Sequence, residues 1–449
     1  MTTTRTAPAS APVDVGAWER TALERATQRR EPAWSLDQRR AAVGIARTLA
    51  PPSRADELWR RIDLRGIESA LPSLDPFRPA PATRGLDDLP AALLERLGAE
   101  RGQAALLVQR DSDVVIEQPA AELAKQGVIV CSMERALAEH GDLVRERLGS
   151  LLEPDYDWFT ALGAALRSGG LFVSVPDGVD AAVPIRVLHW IEGDGRLVAP
   201  RNLVVLGRGS RATIVEELVS ADVEGPAFYV GGTEAFVGED AKLIYGTLEE
   251  WGHGVYHYSN QRAQVARGGE LQWVQTLLGG RVVKSNSYFN LAGPGAQAFV
   301  HGFMFGDARQ QFHLHTLQRH LADHCTSDLL IKGCLKDYAR SVYQGLIQVA
   351  EGAQRTDAYQ ANRNLLLSDT ARADSIPGLE ILANDVRCTH GATIGSVDEE
   401  QMYYLMARGL PRSDAQRLIV EGFFAPVLDR IPLDGVREGL RQLIQRKIG

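Results

Sequence analysis

Cys388 and His390 lie two residues apart in the stretch NDVRCTHGATIG, Asn384 to Gly395, of a chain with only four cysteines and ten histidines. On a β-strand, residues i and i+2 face the same side, so a thiolate and an imidazole at this spacing can reach one metal together. Both groups accept iron or zinc. The plainer alternative is a pair of side chains that share a strand face and simply pack. A second concentration comprises His301, His313, His315, His320 and His324, within FVHGFMFGDARQQFHLHTLQRHLADHC. There the spacing gives His313 and His315 a common strand face, and His320 and His324 a common helical one. It matches no zinc motif, and polar side chains stacked on repeated rungs account for it equally well.

Other signatures of chemistry are missing. The chain has neither a GxSxG elbow nor a Walker A sequence. GRGSR and RGGELQW carry glycines without the strand, loop and helix order of a phosphate site, so they read as turns. This chain is not expected to be an ATPase. Cys131, Cys325, Cys334 and Cys388 are scattered without a CxxC pair, which suggests neither a disulfide framework nor a structural zinc site and fits a reducing cytosol. The formal charge of -8, from 57 acidic and 49 basic residues, argues against nucleic acid or an anionic membrane as the main partner. MTTTRTAPASAPVDVG has no apolar run of signal-peptide length, and no segment reaches about 18 uninterrupted apolar residues, so a cytoplasmic protein with a disordered tail over residues 1–15 is expected.

The elements that must position these residues change character along the chain. Trp18 to about Leu71 is helical in pattern, with Ser35 and Gln38 at capping-box spacing, and Pro72 to Pro90 is a proline-rich break. From about Gly169 to Ile381, β-branched and aromatic runs of four to eight residues alternate with glycine-bearing turns. Turn and strand recur at GRGSRATIVEEL, VGEDAKLIYGTL, ARGGELQWVQTL and AGPGAQAFVHGF. Aligning Ala212, Ala241, Leu271 and Ala296 gives offsets of roughly 25 to 30 residues, the range of one solenoid coil. A mainly β fold with a parallel β-helix core follows. After Gly395 the pattern turns helical: Ser413 and Gln416 have capping-box spacing, and Val436, Leu440, Leu443 and Ile444 form one apolar stripe. Tyr403, Tyr404, Phe423 and Phe424 fall at core or interface positions. The expected division is a tail over 1–15, an N-terminal helical and mixed domain over 16–165, the β-helix core over 166–395, and a C-terminal helical domain over 396–449.

The run QRTDAYQANRNLLLS, followed by PGLEI and HGATIG, closely resembles the SufB/SufD family of iron–sulfur cluster assembly scaffolds, and the likeness is dense from about Leu203 to the C-terminus. The resemblance implies a right-handed parallel β-helix flanked by helical domains and a non-catalytic scaffold role. It also implies a transient iron–sulfur cluster shared with a SufB-like partner, a SufC-like ABC-type ATPase as second partner, and an indirect link to a sulfur donor system. Ala371 stands where SufB-type chains carry a cluster-building cysteine, and HGATIG is SufD-like, so the SufD branch is expected. By the same resemblance His390 is a cluster or metal ligand at the partner interface, with Cys388 as its candidate companion, and Leu405, Leu418, Ile419 and Phe423 are anchors for the ATPase. A flavin in the complex fits the family, yet no residue here argues for it. Two rival readings remain. One is a SufB-like scaffold whose working cysteine has moved to Cys334 or Cys388. The other is a β-helix enzyme acting on polysaccharide, for which Glu216 with Glu217 and Glu249 with Glu250 are the adjacent acids.

Overall fold

The computed structural model describes residues 15–98, 104–431 and 434–448. The expected disordered tail therefore lies, but for Val15, outside the described residues. Helices α1 (Val15–Gln28), α2 (Ala33–Thr48), α3 (Arg65–Ala70) and α4 (Ala91–Leu97) lead to a hairpin of β1 (Ala105–Arg110) and β2 (Asp113–Gln118). Next come α5 (Ala121–Lys125), β3 (Ile129–Ser132), α6 (Met133–Glu139), α7 (Gly141–Arg145) and α8 (Trp158–Ala165). The expected cap at Ser35 is not used. The N-cap of α2 is Pro32, and the buried Ser35 hydroxyl instead meets the Glu31 carboxylate. That carboxylate is held by Arg39 and Arg167, so a buried ion cluster outcompetes the local capping bond.

From β4 (Leu171–Val175) onward the chain is strand and turn alone until residue 396. The strands are β5 (Asp180–Ile191), β6 (Leu197–Val198), β7 (Arg201–Leu206), β8 (Arg211–Ser220), β9 (Ala227–Val237), β10 (Lys242–Glu250), β11 (Val255–Val265), β12 (Glu270–Leu277), β13 (Val282–Leu291), β14 (Gln297–Gly306), β15 (Gln311–His320), β16 (Thr326–Leu335), β17 (Arg340–Val349), β18 (Asp357–Leu366), β19 (Arg372–Ile381) and β20 (Arg387–Ser396). They alternate between two facing sheets. One runs β2-β1-β5-β8-β10-β12-β14-β16-β18-β20 and the other β19-β17-β15-β13-β11-β9-β7-β4-β3, with β6 beside β9. All neighbours pair in parallel except β1 with β2 and β3 with β4, so the core is a parallel β-solenoid.

Register partners Lys242↔Glu270, Glu270↔Gln297 and Thr326↔Asp357 are 28, 27 and 31 residues apart. The true partner of Ala212 and Leu271 on β10 is Leu243, not Ala241, and that of Leu271 on β14 is Ala298, not Ala296. A slip of two residues keeps every side chain on its own face, which is why hydrophobic alternation cannot detect it. The better ruler is the turn. Gly178, Gly209, Asp240, Gly268, Gly295, His324 and Arg355 all have positive φ, and each donates its N–H to a carbonyl in the turn of the next rung. At Gly268, φ is +63° and an added Cβ would lie 2.2 Å from Asp240 Oδ1, so this rung admits only glycine without rearrangement.

The interior between the sheets is an apolar stack that includes Leu243, Leu271, Ala298 and Leu329, with Tyr245 lying on Trp273 at 4.3 Å between ring centres. On the outer face of the β3–β19 sheet, the N-terminal region packs Trp59 and Phe159 against Phe228 and Tyr258. After β20 come α9 (Glu399–Ala407), α10 (Arg412–Leu428) and α11 (Asp434–Ile448). Val420, Phe424, Leu440 and Ile444 of the last two helices cover Val215, Leu248, Phe303 and Phe305 on the outer face of the other sheet. Leu443 packs at the rim of this cluster, and the side chain of Val436 lies outside the described residues. The expected cap at Ser413 is likewise replaced: the cap position falls two residues earlier, at Pro411, and α10 starts at Arg412 without a side-chain cap.

Candidate functional site at the open end of the solenoid

Among the described residues β19 pairs only with β17, and β20 only with β18, so the last turn of the solenoid leaves two ten-residue edges unpaired at one end. Proteins normally cover or charge such edges, since their free N–H and C=O groups template the addition of another strand. Here Ile376, Leu379, Ile381, Leu382 and Ile394 are each more than a third exposed along these two strands and the turn between them. Leu379 and Ile381 continue the columns of Ile347 and Val349, which are fully buried one rung below. They are core residues whose next rung is missing.

His390 has the same origin. Its column runs Tyr245, Trp273, Val300, Leu329, Gln360, His390, buried throughout until the last position, which is exposed. Cys388 ends the column Leu243, Leu271, Ala298, Ser327, Ala358 and is half-buried against the cluster of Ile347, Val349, Ala353, Ala358 and Ala383. Both residues thus take interior positions on the terminal strand, with Thr389 between them on the outer face. Beneath His390 the interior turns polar. Gln360 donates from Nε2 to the Gly378 carbonyl at 3.0 Å and accepts from the Tyr343 hydroxyl at 3.3 Å, and that hydroxyl lies 3.0 Å from Thr316 Oγ1. The imidazole therefore stands on a fixed polar floor that ties the two sheets together. Burial, followed by the nearby Asp357 carboxylate, pushes the Cys388 thiol up, so it is a neutral thiol near neutral pH.

No group of three or more Cys, His, Asp or Glu side chains suited to a metal occurs among the described residues. The second histidine concentration is dispersed. His313 and His315 do share the outer face of β15, where His315 Nδ1 meets the Tyr288 hydroxyl at 2.6 Å and burial pushes both imidazoles down. His301 is buried on β14, 3.7 Å from Asp328. His320 and His324 share no helix: β15 ends at His320, which faces Ser327 inside the solenoid, while His324 fills a left-handed turn slot.

The other cysteines are unsuited to nucleophilic work. Cys131, Cys325 and Cys334 are buried, and burial raises all three thiols. Cys334 in particular lies under the C-terminal helices. Ala371, immediately before β19, is an apolar core residue. The adjacent acids are also consumed structurally. Glu216 faces inward and accepts from Tyr245 and Asn202, and Glu217 faces outward between Arg96 and Arg186. Glu249 is buried and Glu250 pairs with Arg96.

On the C-terminal helices, α9 is capped by the Asp398 carboxylate, which accepts from Glu400 N and Gln401 N, and it buries only Met402. Tyr403 is 75% and Tyr404 58% exposed, so these two lie outside the core, whereas Phe424 is within it. Leu418 is exposed; Leu405 and Ile419 are half-buried. Phe423 is turned toward the solenoid, where the Lys332 ammonium lies 4.6 Å from its ring centre. The sequence reading missed the apolar edge residues Ile376, Leu379, Ile381 and Ile394. Their signal was present: the alternation of earlier rungs continues through them with no further rung to bury it.

The architecture is thus a parallel β-solenoid left open at one end, with a half-buried thiol and an imidazole on its terminal strand and a helical tail against one sheet. The profile of the SUF system FeS cluster assembly, SufBD core domain, matches residues 189–423, and that of the SufBD protein N-terminal region matches residues 104–187. The iron-sulfur cluster assembly protein SufD of Bacillus subtilis is 30% identical over 420 residues, covering 93% of this chain and 95% of the relative. An iron-sulfur cluster assembly SufBD family protein of Staphylococcus epidermidis is 26% identical over 427 residues, covering 93% and 90%. The chain belongs to the SufB/SufD family of iron–sulfur cluster assembly proteins. Within that family it is most like SufD.

Proposed function

We propose that this chain is a non-catalytic scaffold subunit that completes a cluster-assembly site together with a SufB-like partner docked on its open end. The observation that carries this reading is the pair of unpaired strands β19 and β20, whose exposed apolar residues and free backbone groups match a surface made to receive another sheet. His390 then becomes buried at the joint and serves as a cluster ligand or proton carrier. Cys388 is within one strand repeat of it and becomes a ligand only if binding of iron displaces its proton. The partner supplies the remaining ligands and the sulfur-carrying cysteine, since Ala371 offers none here. The cluster is transient and is passed on as cargo.

The exposed face of α9 and α10, with Tyr403, Tyr404, Leu405, Leu418 and Ile419, is the docking surface for a SufC-like ATPase. Phe423 acts indirectly, by fixing α10 to the solenoid. The setting is the cytoplasm, and among the described residues no helix is long and apolar enough to cross a membrane. Anaerobic affinity purification of the tagged chain from its own cells tests the reading. Recovery of a cysteine-bearing SufB-like scaffold together with an ABC-type ATPase supports it. Their absence, with all three proteins co-expressed, defeats it.

A further inference from the structure

A second feature at the open end shares Ile376 and Ile394 with the edge just described but is built mainly of arginines. The segment around Arg54, Arg60 and Arg61, the start of β17 at Arg340 and the start of β19 at Arg372 converge on one cleft of about 690 Å³. Within it Asp374 is the one lining carboxylate, and it pairs with Arg372 at 3.0 Å. Glu57 pairs with Arg60 and Arg61 from one side. Arg54 and Arg340 have no ion pair among the described residues. The charge of the lining therefore exceeds its counter-charge, which gives the cleft a positive potential that favours an anion. Burial pushes the neighbouring His313 imidazole down, and Lys284, Arg340 and Arg61 push it further, which places Arg61 and Arg340 in one converging positive field.

The lining is selective in kind. Guanidinium groups present planar forks that grip oxyanions through paired N–H bonds, and several of them around one cavity suit a phosphate better than a monocarboxylate. Ile376 and Ile394 form an exposed apolar shelf beside the arginines, and the volume lies within the range of small-molecule sites.

We propose that this cleft binds a small organic phosphate, its phosphate groups held by Arg61, Arg340 and Arg372 and its apolar portion resting on Ile376 and Ile394. Every residue of the site belongs to this chain, so binding to the isolated chain is tested without any partner present. Calorimetric titration of the full-length chain at low salt tests it, with pyrophosphate as the bare-anion probe and ADP as the organic-phosphate probe. Saturable binding of both at one site per chain is expected, with ADP the tighter. Arg340→Ala is expected to weaken both at least tenfold, and Arg340→Lys to recover part of the loss. Ile394→Ser is expected to weaken ADP only. Because Arg340 is exposed, its variants should melt with the wild type, and that is measured alongside. Three results would overturn the site: no saturation by either probe, equal binding by a normally folded Arg340→Ala chain, or binding of an acidic peptide with neither phosphate.

Discussion

At the scale of single residues, position in a rung decides chemistry more than residue type does. Glu249 and His390 both occupy interior positions of one sheet, yet the first is sealed in mid-solenoid and the second is at the open end. Burial pushes the Glu249 carboxyl up to about 8, only partly offset by the Trp251 N–H and the Lys447 ammonium. A raised acid binds its proton more tightly when folded. Its effect on stability is therefore favourable below the ordinary value near 4.5 and is lost as pH rises from there through about 8. Glu249→Gln keeps the shape and the acceptor for Trp251 N while removing the ionisation. Its melting temperature should exceed that of the wild type at pH 8 and converge with it near pH 5, as read by calorimetry across that range. The Cys-x-His spacing was legible as a shared strand face, and that geometry holds. Its exposure follows from the change to helix after Gly395, which the sequence does show, but the consequence for His390 needed the register that places it on the last rung.

Among elements, the repeated turn does the work of alignment. Glycine-bearing turns and strands at intervals near 30 residues made the solenoid readable, and the SufB/SufD motifs named its family. The register was misread by two residues at Ala241 and Ala296 because alternation repeats every two residues. The left-handed slot at Gly178, Gly209, Asp240, Gly268 and Gly295 would have fixed it, since glycine or aspartate recurs there for a backbone reason. Gly268→Ala should cost about 1–2 kcal/mol from the disallowed conformation alone, measured by denaturant unfolding, with more if Asp240 has to move. The caps expected at Ser35 and Ser413 failed for a different reason, tertiary and not local: Ser35 is drawn into an ion cluster, and α10 begins behind a proline. On the C-terminal helices, Leu418 is exposed and packs on nothing essential. Leu418→Asp should change stability by no more than about 0.5 kcal/mol while reducing recovery of the ATPase in co-purification.

For the whole molecule, the two helical regions clamp opposite faces of the solenoid and leave its end free. The N-terminal clamp depends on Glu31. Burial alone would raise its carboxyl, but Arg39 and Arg167 override that and hold it at about 2. The stability from this lowered acid is present above about 4.5 and is lost as pH falls from there toward 2. Glu31→Gln leaves two buried guanidinium groups uncompensated and should cost about 3–5 kcal/mol at neutral pH, with a flatter acid limb in the unfolding profile than the wild type. The free end is the proposed assembly surface, and His390 is exposed on its terminal strand. The decisive measurement is iron and acid-labile sulfide in the complex purified anaerobically after co-expression of His390→Ala with the SufB-like and ATPase partners. Intact co-purification with cluster content reduced to a small fraction of wild type is the expected result. A His390→Ala complex that carries the wild-type amount of iron and sulfide would contradict the placement of cluster chemistry at this end of the solenoid.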